Sequence, residues 1–158
     1  MIRRNPFRVV RLFGRTLLCR TAYLNVEARA ADPPKNLPVL TSVEQVRQLT
    51  PEAARLDYPV KLRAVVTYYD PASGDMFVQD STAGIYVYPA KVQTGVKPGH
   101  AVEVVGASDP GLYAPVIHDA QTEILGTGQM PIPRANSFEH LMTGQEDSQW
   151  VQLLGVVR

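Results

Sequence analysis

Residues 58–69 read YPVKLRAVVTYY. From Val60 to Val66 every second residue is apolar, whereas the positions between them include Lys61 and Arg63. Because successive side chains of a strand point to opposite faces, this alternation predicts a β-strand with one buried face and one mixed face. The strand continues into Tyr68 and Tyr69 and ends at the turn-rich loop of residues 70–75.

Four shorter segments downstream also have strand patterns. We predict these strands at Met76–Asp80, Ile85–Tyr88, Ala101–Gly106 and Pro115–Leu125. The first two are joined by a tight connection in which Asp80 is expected to accept backbone N–H bonds and Gly84 to take a positive φ. These two strands therefore form a hairpin.

A long first strand, a hairpin and two further strands fit a mainly β fold. The pattern predicts a small five-stranded Greek-key barrel of the OB type with a short N-terminal helix. An up-and-down sheet of five strands packed on one helix would give a similar pattern. We favour the barrel, because closing the sheet removes edges that so short a chain cannot otherwise cover.

A helix is predicted before the first strand, within Leu40–Leu49. Thr41 or Ser42 can cap it, and apolar residues at Val43 and Val46 fall on one face. Thr50 and the proline after it predict another short helical turn. With this helix, we place the barrel domain at residues 38–130.

The N-terminal region differs in composition from the rest. Residues 1–20 carry six arginines and no acidic residue, and a small-x-small motif ends at Ala30. Arginines interrupt the apolar run of roughly 7–15 residues that a signal peptide needs. We interpret residues 1–37 as a basic tail or a degenerate signal peptide followed by a proline-rich linker. No stretch of the sequence approaches the ~20 apolar residues of a transmembrane helix.

The rest of the chain has a net negative charge. Residues 21–158 contain ten basic and fifteen acidic residues, and residues 59–126 alone carry a net charge of −3. Nucleic-acid sites draw much of their affinity from neutralising phosphates, so this balance argues against a nucleic-acid partner.

Part of the pattern occurs twice. SVEQV at residues 42–46 returns as SFEHL at 137–141, and VKLRAVV at 60–66 returns as VQLLGVV at 151–157. The offsets of 95 and 91 residues indicate a duplicated unit. We therefore interpret residues 131–158 as a linker, a helix and the first strand of a truncated second OB-like module. The alternative is a helix and an extra strand added to the first barrel.

Several ordered motifs carry a family resemblance. They are Leu40–Leu49, Tyr58–Asp70, Phe77–Asp80, Gly84–Val87, Pro98–Gly99, Val102–Gly106 and Glu146–Val151. Together they resemble the extracytoplasmic input region of certain bacterial sensor histidine kinases and related membrane signalling proteins. In that family, tandem OB-like modules precede a membrane helix and a cytoplasmic output domain.

The resemblance implies a non-enzymatic sensory or interaction module of a two-component system. It implies an unknown ligand or protein partner, and a second barrel and membrane helix further along the parent protein. It also implies a periplasmic or other extracytoplasmic location, although the degenerate signal leaves cytoplasmic retention open. The hairpin motif by itself is also similar to OB modules of secreted nucleases, so the alternative function is single-stranded nucleic-acid binding.

The sequence offers little for catalysis. The histidines at positions 100, 118 and 140 have no metal-ligand spacing, and Cys19 has no activating base nearby. Asp70, Asp75 and Asp80 lack the glycine and glutamate of a calcium loop and fit turns better. We therefore expect no catalytic residue, no metal and no cofactor.

Tyrosines are the better candidates for binding. Six of the seven lie between residues 58 and 113. If Ile85 and Val87 point inward, Tyr86 and Tyr88 point outward together. OB modules bind ligands on the face of strands two and three, where exposed rings can stack on flat ligands. The candidate binding residues are Tyr69, Gln79, Tyr86, Tyr88 and Tyr113.

Overall fold

The structure is a computed structural model, and it describes residues 36–156. Within this range the helices are α1 (Val43–Arg47), α2 (Pro51–Ala54) and α3 (Phe138–Leu141). The strands are β1 (Pro59–Tyr69), β2 (Met76–Gln79), β3 (Gly84–Pro89), β4 (His100–Asp109), β5 (Val116–Thr127), β6 (Arg134–Ala135) and β7 (Val151–Gln152). Of residues 1–37, interpreted as a basic tail or degenerate signal followed by a linker, residues 1–35 lie outside the described residues.

The first five strands form a closed barrel in the order β1-β2-β3-β5-β4. β4 pairs antiparallel with β1 and closes the barrel, whereas β3 and β5 run parallel. The closed sheet with this strand order confirms the predicted five-stranded Greek-key barrel of the OB type. The alternative, an open up-and-down sheet of five strands, is wrong. β4 extends beyond both of its predicted ends, and β5 extends two residues beyond its predicted C-terminal end, because the two strands pair with each other from His100–Thr127 to Asp109–Val116.

The barrel interior holds the apolar residues of the alternating pattern. Val60, Leu62, Ala64 and Val66 of β1 are all buried, with at most 7% of their surface exposed. Met76, Ile85 and Ile117 are fully buried against them. The alternation that predicted β1 therefore correctly identified its buried face.

Helix α1 is held at its N-terminus by three acceptors. The N–H of Gln45 bonds the cap residue Ser42, so the second of the two predicted cap residues is the actual one. The N–H of Val43 bonds Asp80 (2.8 Å), and the N–H of Glu44 bonds Thr82 (3.0 Å). Since the first N–H groups of a helix have no partner within the helix, the turn between β2 and β3 completes its cap.

Strand β1 contains an irregularity that changes the direction of its last side chains. The register with β2 shifts between Val66 and Tyr68. Val66 and Thr67 are consecutive and both buried. Beyond this bulge Tyr68 is exposed and Tyr69 points into the core, the reverse of what unbroken alternation predicts.

Residues 134–152 repeat the local geometry of residues 40–61. Before α1, the N–H of Leu40 bonds the carbonyl of Pro59 (2.8 Å) in a parallel bridge. Before α3, the N–H of Arg134 bonds the carbonyl of Trp150 (3.1 Å) in the parallel pair β6–β7. α3 is capped by Ser137 as α1 is by Ser42. The predicted helix is thus present, and a full second module remains a prediction.

Helix length bears on membrane insertion. Among the helices formed by residues 36–156, none is long and apolar enough to cross a bilayer.

Candidate binding face

Four aromatic side chains form a continuous row on the outer surface of β1, β2 and β3. We call Tyr68, Phe77, Tyr86 and Tyr88 the aromatic ladder. Tyr68 pairs with Phe77 across β1–β2, and Phe77 with Tyr86 across β2–β3. Neighbouring ring centroids are 6.1, 4.9 and 4.5 Å apart along the row, all in edge-to-face contact. Tyr86 and Tyr88 share the outer face of β3 as predicted.

The hydroxyl of Tyr86 is fixed by a carboxylate. It donates a short hydrogen bond to Asp75, which also accepts from Ser73 (2.6 Å). Burial, and then the bond to Asp75, raise the pKa of Tyr86. The hydroxyls of Ser73 and Tyr86 hold the pKa of Asp75 below its usual range, because both donate to the charged form. Tyr86 is therefore a neutral, anchored ring at physiological pH.

This pair predicts a pH dependence of stability. The pKa of Asp75 is lowered in the folded state, so its contribution is present above the unfolded pKa and lost as pH falls through the folded one. We expect the wild-type free energy of unfolding to fall more between pH 7 and about pH 3 than that of Asp75→Asn. Urea titrations at several pH values measure this difference. If the free energies of unfolding of the wild type and of Asp75→Asn fell equally with pH, this prediction would be wrong.

A later part of the chain lies against the barrel beside the ladder. We call residues 144–150 the docked segment. The side-chain amide of Gln149 accepts from the N–H of Gly84 (2.9 Å) and donates to its carbonyl (3.0 Å). The N–H of Trp150 bonds the side chain of Gln79 (3.0 Å). Arg47 donates to the carbonyl oxygen of Asp147 (3.0 Å). Helix α1, β2 and β3 therefore all hold this segment.

The ladder and the docked segment together line two cavities. One, of about 160 Å³, lies among Phe77, Tyr86, Tyr88, Tyr113, Asp147 and Ser148. The other, of about 360 Å³, lies between Tyr68 and Phe77 on one side and residues 148–150 on the other. Both are built partly by strands β1–β3 and partly by residues roughly 60–80 positions later in the chain.

The structure brings three of the five predicted binding residues to this face. Tyr86, Tyr88 and Tyr113 line the smaller cavity, and Tyr113 is 93% exposed on the loop before β5. Gln79 lies in β2, but its side chain is covered by the docked segment through its bond to Trp150.

Tyr69 requires a correction. The bulge in β1 turns it into the core, where it is 9% exposed and its hydroxyl accepts a bond from the N–H of Gln93 (2.8 Å). Tyr69 is therefore not part of the binding face. Tyr68, its neighbour, takes the outward position.

Sequence reasoning missed the contribution of the docked segment. Residues 146–151 belong to the motifs of the family resemblance, yet no spacing rule connects Asp147 or Ser148 with tyrosines on β3. The contact depends on the path of the chain from β5 through α3. Asp75 was interpreted as a turn residue only, and its bond to Tyr86 gives it a further role.

Two histidines away from this face lie beside carboxylates. His118 lies 3.2 Å from Asp57 and 3.3 Å from Asp119, and His140 lies 3.1 Å from Glu146. Within residues 36–156, no group of three His, Cys, Asp or Glu side chains has the geometry to hold a metal ion.

Comparison with known proteins adds no assignment. No protein-family model matches the chain, and no match was found among curated proteins.

Proposed function

We propose that the barrel is a non-enzymatic sensory or interaction module from the input region of a bacterial two-component signalling protein. The observation that carries this proposal is the smaller cavity, because its wall is shared by the aromatic ladder and the docked segment. A ligand or partner there would touch both parts of the chain at once. Binding could then change how firmly the docked segment is held.

The docked segment leads directly into β7, which supports a role in transmission. Trp150 is bonded to Gln79 of the barrel, and the next residue, Val151, begins β7. In our proposal β7 is the first strand of a second OB-like module. The contact at residues 144–150 would then set the position of that module relative to the barrel.

The exposed side chains of the second copy support the same view. Val43 and Val46 of α1 are fully buried in the barrel core. Phe138, which takes the position of Val43 in the second copy, is 66% exposed. A second barrel would cover this residue as the first one covers Val43. Beyond it we propose a membrane helix and a kinase, with the described modules in the periplasm.

The test is a deletion in the parent signalling protein. Removing residues 38–130 is expected to change the rate of kinase autophosphorylation, while the isolated kinase core stays active. The wild-type parent and the isolated core are the two controls. Unchanged output from the deletion protein would contradict the sensory role.

The aromatic ladder also supports a second candidate, a single-stranded nucleic-acid-binding module. Base stacking on exposed rings contributes about 1–3 kcal/mol per base. The net charge of −3 over residues 59–126 opposes it, because phosphates would be repelled. Salt-sensitive binding of single-stranded DNA that is weakened by Tyr88→Ala would favour this candidate. A flat titration at low salt would remove it.

A further inference from the structure

The smaller cavity combines aromatic rings with a carboxylate. Its rings are Phe77, Tyr86, Tyr88 and Tyr113, and its carboxylate is that of Asp147. Of the described residues that line it, none is Lys, Arg or His. The faces of aromatic rings carry negative potential and attract organic cations, and a carboxylate adds to this attraction. The lining therefore favours a positively charged ligand over an anionic one.

Asp75 strengthens this preference from outside the cavity. Its carboxylate accepts the hydroxyl hydrogen of Tyr86. A phenol that donates to an anion shifts electron density toward its ring, which makes the ring face more attractive to a cation. Burial and this bond also raise the pKa of Tyr86, so the ring stays neutral and keeps its position.

Arg47 offsets part of the negative charge of Asp147, so the four aromatic rings contribute most of the preference for a cation. Its Oδ2 lies 3.9 Å from Arg47 and accepts from Ser148 (3.0 Å). The guanidinium of Arg47 is bonded to two backbone carbonyls, those of Asp147 and Gly84. It is held there by these bonds and does not line the cavity.

The size of the cavity limits the ligand. A volume of about 160 Å³ is the space of about five water molecules. This suits a compact group such as a trimethylammonium head. Tyr88 and Tyr113 are 47% and 93% exposed, so the cavity is open to solvent on that side.

We propose that this cavity binds a small organic cation of the quaternary or alkylated ammonium class. The proposal deepens the sensory function above, and its signalling consequence rests on that function. The binding itself can be measured on the chain alone. The cation would contact both the aromatic ladder and residues 147–148, and so would stabilise the docked segment against the barrel.

Calorimetric titration with matched probes tests the proposal. The probes are choline and 3,3-dimethylbutan-1-ol, an uncharged compound of the same shape in which carbon replaces nitrogen. We expect choline to bind at least about tenfold more tightly than the alcohol. Tyr88→Ala is expected to weaken choline binding about tenfold, whereas Tyr88→Phe, which keeps the ring, retains most of it.

Two further variants act as controls. Val92→Ala shortens an exposed apolar side chain that lies outside the ladder and lines neither cavity, and we expect choline binding to be unchanged. Tyr113 lies on an exposed loop, so replacing it by alanine does not disturb a strand. Tyr113→Ala therefore tests the contribution of a ring to choline binding even if Tyr88→Ala disturbs β3. It is expected to weaken choline binding several-fold.

Equal affinity for choline and the alcohol would overturn the proposal, as would the absence of choline binding. Tighter binding of a single-stranded oligonucleotide than of choline would also overturn it, in favour of the nucleic-acid candidate. These failures are distinguishable from failure of the sensory function, because the deletion test reads kinase output whatever the ligand is.

Discussion

Gly84→Ala is expected to detach the docked segment from the barrel. A Cβ atom at this position would lie 2.1 Å from the carbonyl oxygen of Ser148 and 3.0 Å from its carbonyl carbon. These are backbone atoms, so no side-chain rotation can relieve the overlap. The hydrogen bonds between Gly84 and the amide of Gln149 would then be lost, together with the neighbouring bond from Trp150 to Gln79. We expect a loss of about 1–3 kcal/mol in the free energy of unfolding.

The single tryptophan of the chain is a direct reporter of this change. Trp150 is at the end of the docked segment and is 36% exposed. Its fluorescence emission should move to longer wavelength in Gly84→Ala, and its amide should exchange hydrogen faster. Gly155→Ala is the matched control, because its Cβ would meet nothing within 4 Å. Native emission in Gly84→Ala would show that the segment is not held as described.

This role of Gly84 differs from the sequence-based expectation. The position was predicted to need a positive φ in the turn after β2. The structure gives Gly84 no positive φ, and the residue belongs to β3. The glycine is required instead because the backbone of Ser148 lies against it. Alanine would suit the strand itself, so the effect of Gly84→Ala isolates the docking contact.

Asp80→Ala is expected to destabilise the barrel by about 2–4 kcal/mol. The carboxylate of Asp80 accepts from the N–H groups of Val43 (2.8 Å), Thr82 (2.7 Å) and Ala83 (3.0 Å), as well as from the hydroxyl of Thr82. It therefore fixes the β2–β3 turn and the first turn of α1 together. Removing it leaves the N–H of the fully buried Val43 without its acceptor. Because the lost bonds involve a charged group, each costs more than a neutral hydrogen bond.

Asp70→Ala provides the comparison for Asp80→Ala. Asp70 accepts bonds from Ala72 (2.8 Å) and Ser73 (3.2 Å), but both lie within its own loop. We expect a loss below about 1 kcal/mol, since only local turn geometry is affected. Urea denaturation of the two variants measures the difference. Equal losses would contradict the view that Asp80 joins two elements.

The features that could be predicted from the sequence are those set by residues close together in the chain. The alternation from Val60 to Val66, the cap at Ser42 and the turn at Asp80 each follow from residues a few positions apart. The closed barrel followed from the number and lengths of the strands, because so short a chain leaves few ways to cover its edges. The outward direction of Tyr86 and Tyr88 followed from the same alternation.

The binding face was predicted only in part. The sequence placed Tyr69 on it, but the bulge in β1 reverses the last two residues, so that Tyr68 is exposed instead. A bulge depends on how β1 fits β2, and the pattern of β1 alone does not contain this information. Gln79 was correctly placed beside the face, but its side chain is already bonded to Trp150.

By itself, the sequence determined a mainly β barrel with a capped helix before it and an outward row of tyrosines on β3. Only the tertiary structure decided that Asp147, Ser148 and Gln149 complete that face. The reason is physical: strand and helix patterns arise from periodic local burial, whereas the amide of Gln149 meets the backbone of Gly84 across 65 residues of chain. Such a contact depends on the whole path between the two positions, and no local pattern encodes it.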